Sequence, residues 1–279
     1  MKPVWQFAAI AAVALLGRVV LGPFMDQPWV MLAGGVAAAV ALLLAYRWIV
    51  RLTERRTVTE LGERGAVSGL LGGTALGTVM FALVIGCIAL LGQYHVDGWG
   101  APEAALGLVG LMAVAAVSEE LIFRGVLLRW IETRFGSWVA LAVTAPLFGL
   151  MHLANPDASL WGATAIAIQA GAMLGAVYLA TRSLWLPIGI HFGWNTAQSA
   201  LFSTQVSGND TAQGLLDAAT SGPAAVSGGE FGPEASVFAV LAGAALTVVF
   251  LVIAHRRGRI VPARSRRAAA PADADRIPR

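Results

Sequence analysis

Among the polar side chains in the apolar stretches of this sequence, six stand out as of types that move protons or hold charge. They are Glu119, Glu120 and Arg124 in one stretch, His152 at the end of the next, and His191 with Asn195 two stretches on. A polar or ionisable group inside a membrane-spanning helix costs at least ~2.5 kcal/mol near its centre, so it faces a cavity or a partner and marks a functional site by default. Adjacent helical residues point about 100° apart, whereas residues four apart share a face. Glu120 can therefore pair with Arg124 as an ion pair that fixes the helix, leaving Glu119 to project into a cavity as a base. The alternative is a charge cluster at a cytoplasmic helix end. His191 and Asn195 are also four apart and can aim two hydrogen-bond donors at one developing oxyanion, worth roughly 3 kcal/mol per donor in a dry site. They can equally serve as glue between helices. His152 follows Phe148 by four residues, and its meaning depends on what converges with it.

These residues stand in three motifs on successive apolar stretches: EELIFRG at 119–125, FGLMHL at 148–153, and LWLPIGIHFGWN at 184–195. In type, spacing and order they resemble the motifs of the CAAX protease and bacteriocin-processing (CPBP, or Abi) family over roughly residues 100–203. The resemblance implies an all-helical intramembrane endopeptidase, similar to type II CAAX prenyl proteases. Glu119 and His152 would activate a water molecule, and His191 with Asn195 would hold the oxyanion of the tetrahedral intermediate. Glu120, Arg124 and Phe148 would support them. No H-E-x-x-H zinc motif is present. Glu119, His152 and His191 are nevertheless candidate ligands for a divalent metal such as zinc. No cofactor is fixed by the resemblance, and a metal-free glutamate mechanism is the favoured reading.

The elements that must carry these residues are membrane helices. Of 279 residues 57% are hydrophobic and 13% charged, where a soluble domain carries about 25% charged residues. A water-soluble fold and a nucleic-acid partner are excluded on that balance. Apolar runs at 4–22, 29–48, 66–92, 104–128, 138–154, 161–180, 184–203 and 236–254 predict about eight transmembrane helices in an all-α bundle, residues 1–255. The first run reads as a span, not a cleaved leader. Arginines crowd alternate connectors: Arg47, Arg51, Arg55, Arg56 and Arg64; Arg129 and Arg134; Arg182; and the tail from Arg256. The connectors 23–28, 93–103, 155–160 and 204–235 hold no Lys or Arg. Short loops retain Lys and Arg on the cytoplasmic side, so both termini are expected there. The site is expected to open toward the same face, because Arg129, Arg134 and Arg182 lie close to the motifs. The arginine-rich basic set and the abundant Ala and Gly suggest a GC-rich bacterial source, hence a bacterial plasma membrane.

The outer loop 204–235, rich in Gly, Ser, Ala and Thr, is expected to be flexible and to bury no core; the basic tail 256–279 is expected to be disordered. Gly73 with Gly77, Gly171 with Gly175, and Gly189 with Gly193 are four apart, a spacing that lets helix backbones approach closely. Cys87 is alone, so neither a disulfide framework nor a thiolate metal site is available. Measured from opposite membrane faces at ~1.5 Å per residue, Glu119 and His152 would each lie about 22 Å deep and well apart. A shared site requires the fourth helix to run on toward Arg134 and the fifth to begin later. The partners implied are membrane lipids and a peptide or protein substrate, possibly lipidated. A catalytically silent scaffold or immunity-type protein, and a proton-coupled transporter, are the competing classes; the inverted repeats of a transporter are not found.

Overall fold

The computed structural model describes residues 2–210 and 213–263. Eight apolar helices run in the predicted order. They are α1 (Lys2–Leu21), α2 (Pro28–Glu54), α3 (Ala66–Leu90), α4 (Pro102–Phe135), α5 (Ser137–Ala154), α6 (Leu160–Thr181), α7 (Trp185–Thr196, continued by a π-helical turn, Ala197–Leu201) and α8 (Val237–Arg256). All but α7 have the length and apolarity of a membrane span. The chain is thus a helical membrane bundle. Residues 264–279, most of the expected basic tail, lie outside the described residues.

Local chemistry sets the helix ends. Pro28 and Pro102 open α2 and α4, where the missing N–H is no loss. Ser159 and Ser236 cap α6 and α8 by accepting from the Gly162 and Ala239 amides. Gly136, at φ +85°, makes the one-residue turn between α4 and α5, and a side chain there would strike the backbone at Val261–Ala263.

That turn resolves the depth conflict. The fourth helix does run on, to Phe135, but the fifth does not begin later: it starts at Ser137. The two helices form an antiparallel hairpin, so height is measured from their common turn. Glu119 lies about 24 Å above the end of α4 and His152 about 22 Å above the start of α5, at ~1.5 Å per residue. At roughly 51 Å, α4 is longer than a ~30 Å hydrocarbon core.

Glycines fix the lateral packing. Added Cβ atoms on Gly73 and Gly77 would collide with the backbone of α7 at Leu186, Gly189, Ile190 and Trp194, and those on Gly189 and Gly193 with α3 at Leu70, Gly73 and Thr74. The backbones of α3 and α7 therefore touch along these positions. Gly171 meets the backbone of α5 at Ala145, and Gly175 meets Leu141 and Leu128. One apolar cluster, with Phe81, Phe123, Phe148, Met173 and Trp194, surrounds the motif residues. A second, with Leu42, Tyr46, Leu121, Leu128 and Ile188, fills the arginine-bearing half.

The expectation that 204–235 buries nothing does not hold. Phe231 and Ala235 are buried in the first cluster, and Leu216–Thr220 forms strand β2, which pairs antiparallel with β1 (Tyr94–Trp99). The small residues that suggested a linker let this segment lie close to the helix ends; Gly214 packs on the carbonyls of Ser199 and Ala200. This two-stranded ribbon is the only sheet among the described residues.

Candidate active site

Three helices, α4, α5 and α7, deliver the predicted residues to one place, and α6 packs against them. Just after Glu119 and Glu120, α4 widens into a π-helical stretch, Leu121–Leu128, and α6 does so at Ala167–Ala172. Arg124 crosses between these two distortions. Its Nη1 donates to Glu120 Oε1 at 2.8 Å, and its Nη2 donates to the carbonyls of Ala170 (2.9 Å) and Gly171 (3.0 Å). The guanidinium also stands 4.6 Å from the centre of the Phe148 ring. Glu120 is 0% and Arg124 2% exposed, so this is a buried pair whose charges are met on several sides. The i,i+4 pairing read from the sequence is present.

Glu120 has a second task. His191 Nδ1 lies 2.9 Å from Glu120 Oε1, and His152 Nδ1 lies 2.8 Å from the Phe148 carbonyl. Both acceptors are oxygens without a proton to give, so each Nδ1 carries the hydrogen. In the neutral rings each Nε2 is then a lone pair. These two nitrogens face the same oxygen: Glu119 Oε2 is 4.0 Å from His152 Nε2 and 3.9 Å from His191 Nε2. That oxygen is buried and has no hydrogen-bond partner. Glu119 and Glu120, adjacent in sequence, thus have separate surroundings, as their 100° offset requires.

A cavity of about 20 Å³, room for roughly one water molecule, lies beside His152, His191 and Asn195. Phe148 and Trp194 are among its apolar walls. Three further polar residues line it: Gln169 of α6, and Ser207 and Glu234 from the 204–235 segment. Glu234 accepts from the Ser207 amide (2.8 Å), the Ser207 hydroxyl (2.7 Å) and the Trp194 indole (3.3 Å). Burial pushes its carboxyl above the usual range; the bonds from Ser207 and the neighbouring His152 and His191 only partly oppose this. The segment lies on the arginine-free side of the bundle, so a cavity opening toward the arginines is not what the fold builds. Arg129, Arg134 and Arg182 are near the motifs in sequence, but the length of α4 puts its Arg-bearing end some 20 Å away.

Residues 101–197 match a family model described as type II CAAX prenyl endopeptidase Rce1-like. Over that stretch, about a third of the chain, the sequence is similar to this family. The match covers all three motifs and supports the resemblance drawn from them. It supports an intramembrane protease of the CAAX type in general terms, with a peptide or protein as its substrate. No curated protein and no solved structure matches the chain.

Glu234 and Ser207 fall outside the Rce1-like segment, and the sequence reading passed over them. The only available signal was an acidic residue between Gly232-Pro233 and Ala235 in a connector rich in Gly, Ser, Ala and Thr. As for a metal, the donor types are suitable: two Nε2 lone pairs and an unpartnered carboxylate oxygen. The spacing is not. Atoms bound tetrahedrally at about 2.0–2.1 Å lie some 3.4 Å apart, and among the described residues no group of three such side chains is placed to hold an ion. Around a water with hydrogen bonds of about 2.8 Å, atoms 4 Å apart subtend roughly 90°, which such a molecule accommodates.

Proposed function

We propose that this chain is an intramembrane endopeptidase that hydrolyses a peptide bond near the end of a membrane-associated or lipidated peptide or protein, using glutamate-activated water and no metal. The observation that carries the reading is the convergence of Glu119 Oε2, His152 Nε2 and His191 Nε2 at 3.9–4.0 Å, the two histidines also lining a one-water cavity. A water held between Glu119 and His152 gives one proton to Glu119 and points its oxygen at the scissile carbonyl, while His152 Nε2 accepts its second hydrogen. Attack forms the C–O bond, and the carbonyl oxygen becomes the oxyanion. Asn195 donates to it through its amide. His191 can donate only as imidazolium, because its Nδ1 hydrogen is committed to Glu120; the Glu120 carboxylate is placed to stabilise that cation. The proton on Glu119 then passes to the departing nitrogen as the C–N bond breaks. Arg124 pairs with Glu120, and Phe148 supports both His152 and Arg124.

On this reading residues 1–255 form the membrane domain and 100–203 its catalytic core, seated in a bacterial plasma membrane. The cavity takes a water but not a peptide, so the substrate is admitted when the Ser207–Glu234 contact parts. The test is comparative proteomics of membrane fractions from wild-type and Glu119→Gln strains. Uncut C-terminal or N-terminal segments should accumulate in the variant; identical sets of termini in both strains would refute proteolysis and favour the scaffold.

A further inference from the structure

We infer that the arginine-bearing end of the bundle holds a binding site for the phosphate headgroup of an anionic membrane lipid, in the cleft between the first turn of α1, the last turn of α2 and the overhanging end of α4. The cleft has a volume of about 360 Å³ and is lined by Lys2, Gln6, Glu54, Arg129, Trp130 and Arg134, a size within the range of small-ligand sites.

Its charge is unbalanced. Three cations face one carboxylate, and that carboxylate is already saturated. Glu54 accepts from Arg129 Nη1 (2.7 Å) and Nη2 (2.6 Å), Arg56 Nε (2.6 Å) and Gln6 Nε2 (2.7 Å). Lys2 and Arg134 have no carboxylate partner among the described residues. Arg134 instead stacks its guanidinium 4.5 Å from the centre of the Trp130 ring, which leaves its N–H edges free to bind an anion.

The walls are rigid where a headgroup would rest and apolar where acyl chains would run. Gln6, 2% exposed, ties α1 to α2 through Thr53 and Glu54 and forms the floor. Above it, α1 presents Val4 and Trp5, more than 60% exposed, to the bilayer. A tryptophan beside unpaired cations at a helix end is the composition of an anionic lipid interface. The inference is independent of the proteolytic reading, because no motif residue enters the cleft.

The test uses full-length protein in neutral detergent, titrated with phosphatidylglycerol, phosphatidylcholine or inorganic phosphate. Occupancy is read by native mass spectrometry and the melting temperature in parallel. Phosphatidylglycerol should bind in preference to phosphatidylcholine and raise the melting temperature, and inorganic phosphate should do neither at equal concentration. Removing two surface cations as Lys2→Gln with Arg134→Gln should weaken phosphatidylglycerol about 30-fold. Thr133→Phe, which narrows the cleft without changing charge, should also weaken it and covers the case in which the double variant folds poorly. Equal binding of the two lipids, or unchanged phosphatidylglycerol affinity in both variants, overturns the site. Stabilisation by inorganic phosphate matching that by the lipid overturns the lipid as its occupant.

Discussion

Glu119 and Glu120 are neighbours in the chain, yet their conversion to glutamine should have opposite consequences. Glu120 is fully buried and accepts from both Arg124 and His191. In Glu120→Gln the Arg124 guanidinium, 2% exposed, loses its counter-ion and keeps only two carbonyls and an aromatic face. Breaking one side of a buried pair costs about 3–5 kcal/mol, a factor of roughly 10²–10³ or more in the folding equilibrium. Glu119 Oε2 has no hydrogen bond to lose. Neutralising an unpartnered buried oxygen should change stability by less than about 0.5 kcal/mol, or increase it, as at other sites where function is held against stability. Turnover of a verified substrate should fall about 10²–10⁴-fold in Glu119→Gln, since the base is gone and the shape remains. The assay pairs unfolding in mixed detergent micelles with turnover. Adding Arg124→Met to Glu120→Gln should recover about 2 kcal/mol, the coupling expected of contacting charges. Equal destabilisation by the two glutamines, or wild-type turnover in Glu119→Gln, would refute the division of labour.

Alanine at His191 or Asn195 should lower kcat with little change in KM, because their role is confined to the oxyanion; a pure KM effect in steady-state kinetics would make them substrate contacts. Gly77→Ala should force α7 off α3, cost about 1–3 kcal/mol in unfolding experiments and reduce kcat through displacement of His191. Glu60, in the α2–α3 connector, would be raised by its burial, but bonds from Arg56 and Tyr46 hold its carboxyl below the usual range. A depressed carboxylate stabilises above its unfolded pKa of about 4.3 and loses that contribution as pH falls through the folded value. The melting temperature should therefore drop on acidification below about pH 4, and Glu60→Gln should flatten that limb. Rigorous metal removal should leave activity intact; loss to a chelator, restored by about one equivalent of zinc, would replace the metal-free mechanism.

Much of this protein is local information. Periodic apolar runs, alternating arginines and three spaced motifs suffice to predict eight helices, their order, the Glu120–Arg124 pairing and the four residues Glu119, His152, His191 and Asn195. The helices and that pairing survive because helix formation in an apolar medium and i,i+4 pairing depend only on near neighbours. Tertiary structure decided the rest. The common height of Glu119 and His152 follows from the Gly136 turn and from a helix that outruns the bilayer, and neither length was marked by a change of composition. The hydrogen on His191 Nδ1, and hence the condition under which it donates, is set by a carboxylate 71 residues away. Glu234 and Ser207 reach the cavity because Phe231 and Ala235 find a core in the bundle that their own small-residue segment cannot supply, and no local pattern announces a partner that distant.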